Sequence, residues 1–376
     1  KKRRIEGHCT DVVTNLAVEW LNQKRTEEKP FLLMVQHKAP HRSWMPALRH
    51  LPLYDDIEIP EPPTLFDKWT DNAPGARQQE LEIDRHMDLN YDLFVDLTPG
   101  FHQERSQKAQ DRSAWRNMKR MTPNQINTWR SHYKPKDAAF KKGKLSGKDL
   151  VRWKFQRYAK NYLRCVKGVD ESLHTLQEEL RKLGLDKNTI VIYSSDQGFY
   201  IGDHGWYDKR WMYEESLKMP LIVKWPGTIK AGSKQEEMVQ NLDYAQTFLD
   251  LAGAPQPKDM QGRSIVPLLK GEKLDNWRKE IYYHYYEYPS VHMVPRHYGI
   301  RTNRYKLMHF YEFGDEWEMY DLKKDPDEVT NLYGKEEFLE LQKSLKKRLK
   351  NLQKFYDDQS DTSVRPEYIE KYRKKS

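Results

Sequence analysis

The segment TIVIYSSDQGFYIGDHG, residues 189–205, decides the fold. It opens with a short apolar run, Thr189 to Tyr193, of the kind that is typical of a buried strand in a parallel sheet. A polar loop follows, and it contains Asp196 and Gln197. Loops at the carboxyl ends of parallel strands build the functional sites of α/β proteins. The segment therefore predicts an α/β fold with a site beside Asp196.

The flanking sequence predicts more of the same sheet and its covering helices. The apolar runs 31–36 and 220–225 each predict a further buried strand. Apolar side chains at three- and four-residue steps predict helices at 11–23, 155–183 and 239–252. Strands that alternate with helices indicate a mostly parallel sheet sandwiched by helices.

The pattern changes after about residue 275. Several short alternating segments rich in tyrosine predict an antiparallel sheet, and residues 335–356 predict an amphipathic helix. We therefore divide the chain into an α/β catalytic domain at 1–275, with a helical insertion at about 80–150, and a smaller C-terminal α+β subdomain at 276–376.

Composition narrows the possible partners. The 376 residues carry a formal net charge of +9, which favours anionic partners through the summed field of the molecule. No apolar run reaches the ~18 residues of a membrane span, so none is expected. The basic residues follow no recognised nucleic-acid-binding motif, so nucleic acid is not an expected partner. Two cysteines are too few for a disulfide framework.

The residue types near Asp196 suit a cation and an oxyanion. A carboxylate beside the amide oxygen of Gln197 offers the oxygen ligands that a hard cation prefers. Lys209 offers a compact positive charge for a sulfate or phosphate oxygen. A capped turn with exposed charges is the alternative interpretation of the same spacing.

These segments together resemble the type I sulfatases of the alkaline-phosphatase superfamily. The metal-site pattern of that family is similar to Ser195–Gly198, Gly202–Gly205 and Lys209 in this sequence. Three further stretches also resemble the family: His37-Lys38-Ala39-Pro40-His41, residues 208–215 and residues 320–332. The stretch from Asp208 to Glu214 is most similar to N-acetylglucosamine-6-sulfatase-like members.

The resemblance implies a role for each matching residue. Asp196 and Gln197 would be calcium ligands, Lys209 would contact the sulfate and the bridging oxygen, and His41 would be the general acid. The implied substrate-binding residues are His37, Lys38, His204 and Arg210, and the tyrosine- and histidine-rich segment adds His292 and His297.

One element of the family pattern is not matched. The family's nucleophile is a formylglycine made from the cysteine or serine of a C/S-x-P-x-R motif, and neither Cys9 nor Cys165 lies in such a motif. The paired aspartates that supply further calcium ligands are also unmatched. We therefore interpret the chain as the larger C-terminal part of a sulfatase, with the nucleophile expected in a missing N-terminal part.

The implied activity of the intact protein is hydrolysis of a sulfate ester on a sugar, with a glycosaminoglycan N-acetylglucosamine 6-sulfate as the expected substrate. The chain alone is expected to be inactive. The alternatives are a phosphatase or phosphodiesterase of the same superfamily, and a non-catalytic module that binds sulfated glycans. The family resemblance implies a periplasmic or secreted location.

Two structural expectations follow from this interpretation. Asp196, Gln197, Lys209 and His41 should converge on one cleft. An incomplete sheet should also expose an unpaired strand edge or an apolar face.

Overall fold

The chain folds into two units that interleave along the sequence. The computed structural model describes residues 4–23, 29–95, 118–312, 314–360 and 362. Unit 1 comprises Lys1–Phe66, Glu82–Asn188 and Ile201–Tyr207. Unit 2 comprises Asp67–Leu81, Thr189–Tyr200 and Asp208–Ser376. The predicted domain boundary near residue 275 stays a prediction.

Unit 1 is built on three helices: α1 (Cys9–Gln23), α2 (Pro123–Gly143) and α3 (Gly147–Lys182). The predicted helices at 11–23 and 155–183 are thus confirmed, and α3 begins earlier than its apolar spacing indicated. Thr14 on α1 donates to Ser172 on α3 over 2.6 Å. Helix α2 lies inside the predicted insertion at 80–150, of which residues 96–117 lie outside the described residues.

The strand predicted at 31–36 is wrong. Residues 30–38 have no regular structure, and the side chains of Leu32 and Met34 are 64% and 60% exposed. Apolar composition alone does not make a strand, because a strand also needs a neighbour for its backbone N–H and C=O groups. No described segment forms a ladder with residues 31–36.

Unit 2 contains the strand that the apolar run at 189–193 forms and the strand that pairs with it. Strand β1 spans Val191–Ser194, and the short strands β2 (Tyr200–Ile201) and β3 (Tyr207–Asp208) follow. Strand β4 (Leu221–Lys224) pairs with β1 in the antiparallel direction. The predicted parallel pairing of buried strands is therefore not found among the described residues. Both strands are only partly buried, and Ile222 is 64% exposed.

Leu32, Met34 and Ile222 are exposed apolar side chains, and the expected unpaired strand edge or apolar face stays a prediction. Unit 2 also contains the short helices α4 (Glu214–Leu217) and α6 (Val266–Leu269). Between them lies α5 (Leu242–Leu251), which confirms the helix predicted at 239–252. None of the helices in the described parts combines the length and hydropathy that crossing a bilayer requires.

The predicted C-terminal antiparallel sheet with its helix is confirmed. Its strands are β5 (Glu280–Tyr285), β6 (His297–Thr302), β7 (Tyr305–Phe310) and β8 (Glu316–Asp321), which pair in that order. Helix α7 (Leu339–Phe355) packs against the sheet. Ile300, Leu307 and Met319 lie on neighbouring strands in register, and they form a buried core with Leu345 and Leu349 of α7.

Candidate functional site

The loop after β1 carries Asp196 and Gln197 and is fixed by close backbone contact. The backbone N–H of Gly198 donates to the carbonyl of Ser216 over 2.9 Å. A Cβ atom at position 198 would collide with the carbonyl oxygens of Glu215 and Lys218, so only glycine permits this approach. The loop thereby presents Asp196 to solvent, beside the half-buried Gln197.

Asp208 gathers three basic side chains that the sequence places among the candidate residues. Its Oδ1 lies 3.4 Å from Lys209 Nζ. Its Oδ2 lies 3.1 Å from an Arg210 nitrogen and 2.9 Å from His292 Nε2. We call these four residues the Asp208 cluster. The carboxylate, Lys209 and His292 are buried, so their interactions are weakly screened by water.

His292 faces a hydrogen-bond acceptor at each ring nitrogen. Its Nδ1 lies 2.8 Å from the backbone carbonyl of Glu80, and its Nε2 points at Asp208. Both partners are acceptors, so a ring nitrogen that bonds to either of them does so as an N–H donor. Lys209 and Arg210 place two cations beside one carboxylate in the Asp208 cluster, and this excess of positive charge favours an anionic group.

The electrostatics of Asp208 agree with this arrangement. Burial by itself would raise the pKa of the Asp208 carboxyl. The His292 hydrogen bond and the charges of Arg210 and Lys209 outweigh burial and hold the pKa well below its usual range. Asp208 is thus ionised at any physiological pH, and it fixes the positions of its neighbours.

The backbone around the Asp208 cluster is strained. Positive φ angles occur at Asp208 (73°), Arg210 (101°) and His292 (71°), although none of these residues is glycine. Local hydrogen bonds maintain the strain: Ser216 Oγ accepts from Arg210 N over 2.9 Å, and Tyr283 Oη donates to the Arg210 carbonyl over 2.8 Å. Strained non-glycine residues persist where the surroundings determine them and are concentrated at functional sites.

His297 lies in a different environment. It is fully buried, and its ring packs against those of Trp211, Tyr283, Tyr285 and Phe310. Burial lowers the pKa of His297 to about 3, so the imidazole is neutral. Its Nδ1 donates to the Pro295 carbonyl over 2.8 Å. Direct contact with a sugar would need His297 to become accessible, and this role stays a prediction.

The loop 37–42 lies in unit 1. His41 is exposed, and its Nδ1 donates to the Arg42 carbonyl over 2.7 Å, which leaves Nε2 for another partner. Arg42 is buried and forms a two-point ion pair with Asp92, with distances of 2.5 and 2.8 Å, which anchors the loop. Lys38 is exposed, and its carbonyl accepts from the His41 N–H over 2.9 Å.

The other two histidines predicted in unit 1 are less accessible. His37 is half-buried, with Nε2 2.9 Å from Ser172 Oγ, and burial lowers its pKa. His204 is fully buried and has a φ of 55°, and its N–H donates to Thr64 Oγ1 over 2.8 Å. His41 belongs to unit 1, whereas Asp196, Gln197 and Lys209 belong to unit 2, so the predicted convergence of these four residues stays a prediction.

Asp196 and Gln197 are of the right type to bind calcium, but they are too few to complete its coordination. Asp196 and Gln197 offer the oxygen ligands that calcium prefers, whereas calcium takes roughly 6–8 of them. Among the described residues, no group of three or more His, Cys, Asp and Glu side chains is placed to hold a metal ion. The two residues therefore fit as one part of a calcium site.

Asp208 is the site residue that the sequence analysis missed. The sequence pattern indicated chemistry only for the neighbouring Lys209 and Arg210. A signal was available, because a charged Asp-Lys-Arg triplet lies between the aromatic residues Tyr207 and Trp211. Charged residues in an aromatic context are rarely buried without a partner.

Comparison with known proteins identifies two matching families. The profile of the family described as Sulfatase matches residues 2–254. The profile described as N-sulphoglucosamine sulphohydrolase, C-terminal, matches residues 202–355. The two overlapping matches extend over most of the chain and include every candidate site residue.

Individual relatives agree with the family matches. An N-acetylglucosamine-6-O-sulfatase of Bacteroides thetaiotaomicron is 45% identical over 94% of this chain and 62% of the relative. An arylsulfatase of Clostridium perfringens is 27% identical over 93% of this chain and 60% of the relative. The chain thus spans less than two thirds of the length of these curated relatives.

A solved structure in complex with its substrate D-glucosamine-2-N,6-O-disulfate has 44% sequence identity to this chain. It aligns with a TM-score of 0.89 over 95% of this chain and 72% of that chain. This agreement confirms the predicted alkaline-phosphatase-like fold class.

Proposed function

This chain belongs to the sulfatase family, and we propose that it supplies the leaving-group side of an active site that hydrolyses a sulfate ester on a sugar. The proposed substrate is a glycosaminoglycan unit that carries N-acetylglucosamine 6-sulfate. One observation carries the proposal: the Asp208 cluster arranges Lys209, Arg210 and His292 around one carboxylate in a buried, strained setting. The relative that is 45% identical, an N-acetylglucosamine-6-O-sulfatase, supports the choice of sugar.

Each basic side chain of the cluster has a proposed role. Lys209 binds a sulfate oxygen and the bridging oxygen, where negative charge develops as the S–O bond breaks. Arg210 binds sugar hydroxyls, and Asp208 and His292 position it, since both ring nitrogens of His292 already face acceptors within the protein. Because Asp208 and its partners are fixed before the substrate arrives, little reorganisation is needed during the reaction.

The loop in unit 1 has a separate proposed role. His41 is the general acid that protonates the departing sugar oxygen, a step that contributes roughly 10²–10⁴-fold in comparable enzymes. His37 and Lys38 flank it, and His204 supports the substrate side. Anchoring of this loop by the Arg42–Asp92 ion pair supports a defined position for His41.

Calcium is the proposed cofactor, and Asp196 and Gln197 would supply part of its coordination. A bound calcium ion would offset the charge of the sulfate oxygens. The resemblance to sulfatases also supports a periplasmic or secreted location.

Neither cysteine of the chain is proposed as the nucleophile. The Cys165 thiol is buried, and burial raises its pKa to about 12, so the reactive thiolate is scarce. Cys9 is exposed but lies outside a C/S-x-P-x-R motif. We therefore infer that the attacking group comes from a segment other than these 376 residues, and that the chain alone is inactive.

Sulfate release tests the proposal. The full-length translation product that contains this chain should release sulfate from N-acetylglucosamine 6-sulfate in the presence of calcium. The corresponding 3-sulfate and a 6-phosphate are the matched controls. Preference for the phosphate, or release only from the 3-sulfate, would contradict the proposed reaction and position respectively.

A further inference from the structure

Unit 2 contains a basic cavity that the proposed function does not use. Its volume is about 360 Å³, near the lower end of the range of roughly 300–1,000 Å³ for small-molecule sites. Four cationic side chains line it: Lys218, Arg301, Arg304 and Lys323. Glu214 is the one acidic lining residue recorded. We call this cavity the basic pocket.

The acidic residue of the basic pocket is already neutralised. Glu214 lies 3.0 Å from Arg301 and 3.0 Å from the buried Lys306. Although burial raises the pKa of Glu214, Lys306 and Arg301 outweigh it and lower that pKa to about 2. Its negative charge is therefore balanced by Arg301 and Lys306, so Glu214 repels an incoming anion only weakly.

Two of the four cationic side chains form no ion pair with a described carboxylate. Arg301 is paired with Glu214, and Arg304 with Asp321 over 2.7 Å. Lys218 and Lys323 are exposed, and neither ammonium group has an ion pair or hydrogen bond to a described residue. Two available charges thus line a cavity whose remaining charges are balanced.

The turns that present these lysines are held in place. Lys218 follows α4, and its N–H donates to the Glu214 carbonyl over 2.8 Å. Lys323 follows β8, where its N–H donates to Asp321 Oδ1 over 3.2 Å. The Leu322 N–H donates to the Arg304 carbonyl over 2.8 Å, which ties the β8 turn to the β6–β7 turn. The two lysine backbones are therefore fixed before a ligand binds.

We propose that the basic pocket is a second glycan-binding site that holds a sulfate group of a sulfated oligosaccharide. Lys218 and Lys323 provide point charges for the sulfate, and the exposed amide of Asn303 provides a donor and an acceptor for sugar hydroxyls. Leu322 and Pro326 provide an apolar surface for the C–H face of a sugar ring. An anion, a hydroxyl and an apolar ring face occur together in sulfated glycans.

The lining favours a glycan over a nucleic acid. None of the described lining residues is aromatic, so the basic pocket offers no ring on which a base can stack. The cavity is also larger than one inorganic anion requires. Binding at this site needs no turnover, so the inference extends beyond the proposed function and can be tested without it.

The test is a comparison of two double variants that remove the same charge. Lys218→Ala/Lys323→Ala removes both available charges from the basic pocket. Lys347→Ala/Lys350→Ala removes two exposed lysines of α7 that do not line it. Affinity for a heparin-derived tetrasaccharide is measured by titration calorimetry at low and physiological salt. We expect the first variant to bind roughly tenfold more weakly, since each exposed charge contact contributes modestly, and the second to bind as wild type does.

Four outcomes would overturn the inference: equal losses in both variants, which indicate a general field effect; no loss in either; unchanged binding of the desulfated tetrasaccharide; or equal binding of a single-stranded DNA of the same charge. Inorganic sulfate alone should compete only weakly. Unchanged melting temperatures establish that the variants are folded, and Lys218→Gln/Lys323→Gln replaces any variant that is not.

Discussion

His292 and Asp208 are joined by a 2.9 Å hydrogen bond between Nε2 and Oδ2, although they lie 84 residues apart in sequence. Both residues are buried and both have positive φ angles. The bond ties the segment before β6 to the Asp-Lys-Arg triplet, so the position of Arg210, which contacts the same Oδ2 atom, depends on a residue far along the chain. Disturbing His292 should therefore affect substrate binding through Asp208.

His292→Gln should raise KM for the sulfated sugar about tenfold or more in the full-length protein, with a smaller effect on kcat. Glutamine can donate to only one of the two acceptors in this position, and a hydrogen bond to a charged group contributes about 1.5–3 kcal/mol. The measurement is the separation of KM from kcat in steady-state kinetics. His174→Gln, at an exposed position on α3, is the control. A fall in kcat alone would assign His292 to the chemical step.

Lys209→Ala should lower kcat far more than it raises KM, by roughly 10²–10³-fold, because the ammonium charge matters most as the bridging oxygen becomes negative. Kinetics of sulfate release by the full-length protein measure this. Lys224→Ala removes an exposed charge on β4 and serves as the control. An unchanged kcat would remove Lys209 from the mechanism.

Glu318→Gln should remove a pH dependence from the stability of the chain. Burial raises the pKa of Glu318 from 4.5 to about 7, although Tyr213 and Tyr320 donate to it over 2.5 and 2.8 Å. The folded state thus binds this proton more tightly than the unfolded state. The stabilisation is full below pH 4.5 and is lost as the pH rises to about 7.

The variant should therefore gain up to about 3 kcal/mol in unfolding free energy relative to wild type between pH 4.5 and 8. Urea denaturation across this range measures the difference. Glu316→Gln, on the same strand, is the comparison variant. A constant difference between Glu318→Gln and wild type at all pH values would contradict the raised pKa.

The sequence predicted the helices and the C-terminal sheet because their signals are local. In α3 and α7 the apolar spacing determines which face is buried, and β6 and β7 are adjacent in both sequence and space. Whether β1 and residues 31–36 pair with another strand depends on segments that are distant in sequence, which local patterns do not reveal. Val191 and Leu33 belong to similar apolar runs, yet one run pairs with β4 and the other with no described segment.

The candidate site was only partly predictable for a related reason. Family motifs located Lys209 and Arg210, which are adjacent in sequence, and a general sugar-contact argument suggested His292. The contact between His292 and Asp208 depends on how the segment before β6 folds back against residues 79–81 and 208–210. No spacing rule connects positions that lie 84 residues apart.

Calcium binding by the chain alone should be weak, with a Kd of ~10⁻³ M or more, because Asp196 and Gln197 supply a single formal charge and few ligands. Calorimetric titration with calcium measures it. Asp196→Asn should abolish the binding, and the exposed Asp71→Asn should leave it unchanged. Micromolar affinity, or binding that survives Asp196→Asn, would place the calcium ligands elsewhere.

Leu32→Lys/Met34→Lys should reduce aggregation of the chain without reducing its stability. The two side chains alternate with half-buried neighbours along an extended segment, and each is at least 60% exposed. Such a segment offers apolar side chains and unpaired backbone groups to another chain, and edge lysines oppose that contact. Light scattering, measured over a range of protein concentrations, should be lower for the variant than for the wild type, while the unfolding free energy should change by less than about 0.5 kcal/mol.

The control variant Leu16→Lys/Ile57→Lys adds the same charge at exposed positions outside this segment and tests whether net charge alone is responsible. An equal effect of both double variants would assign the aggregation to net charge, and a large loss of stability in Leu32→Lys/Met34→Lys would show that the segment is buried in solution.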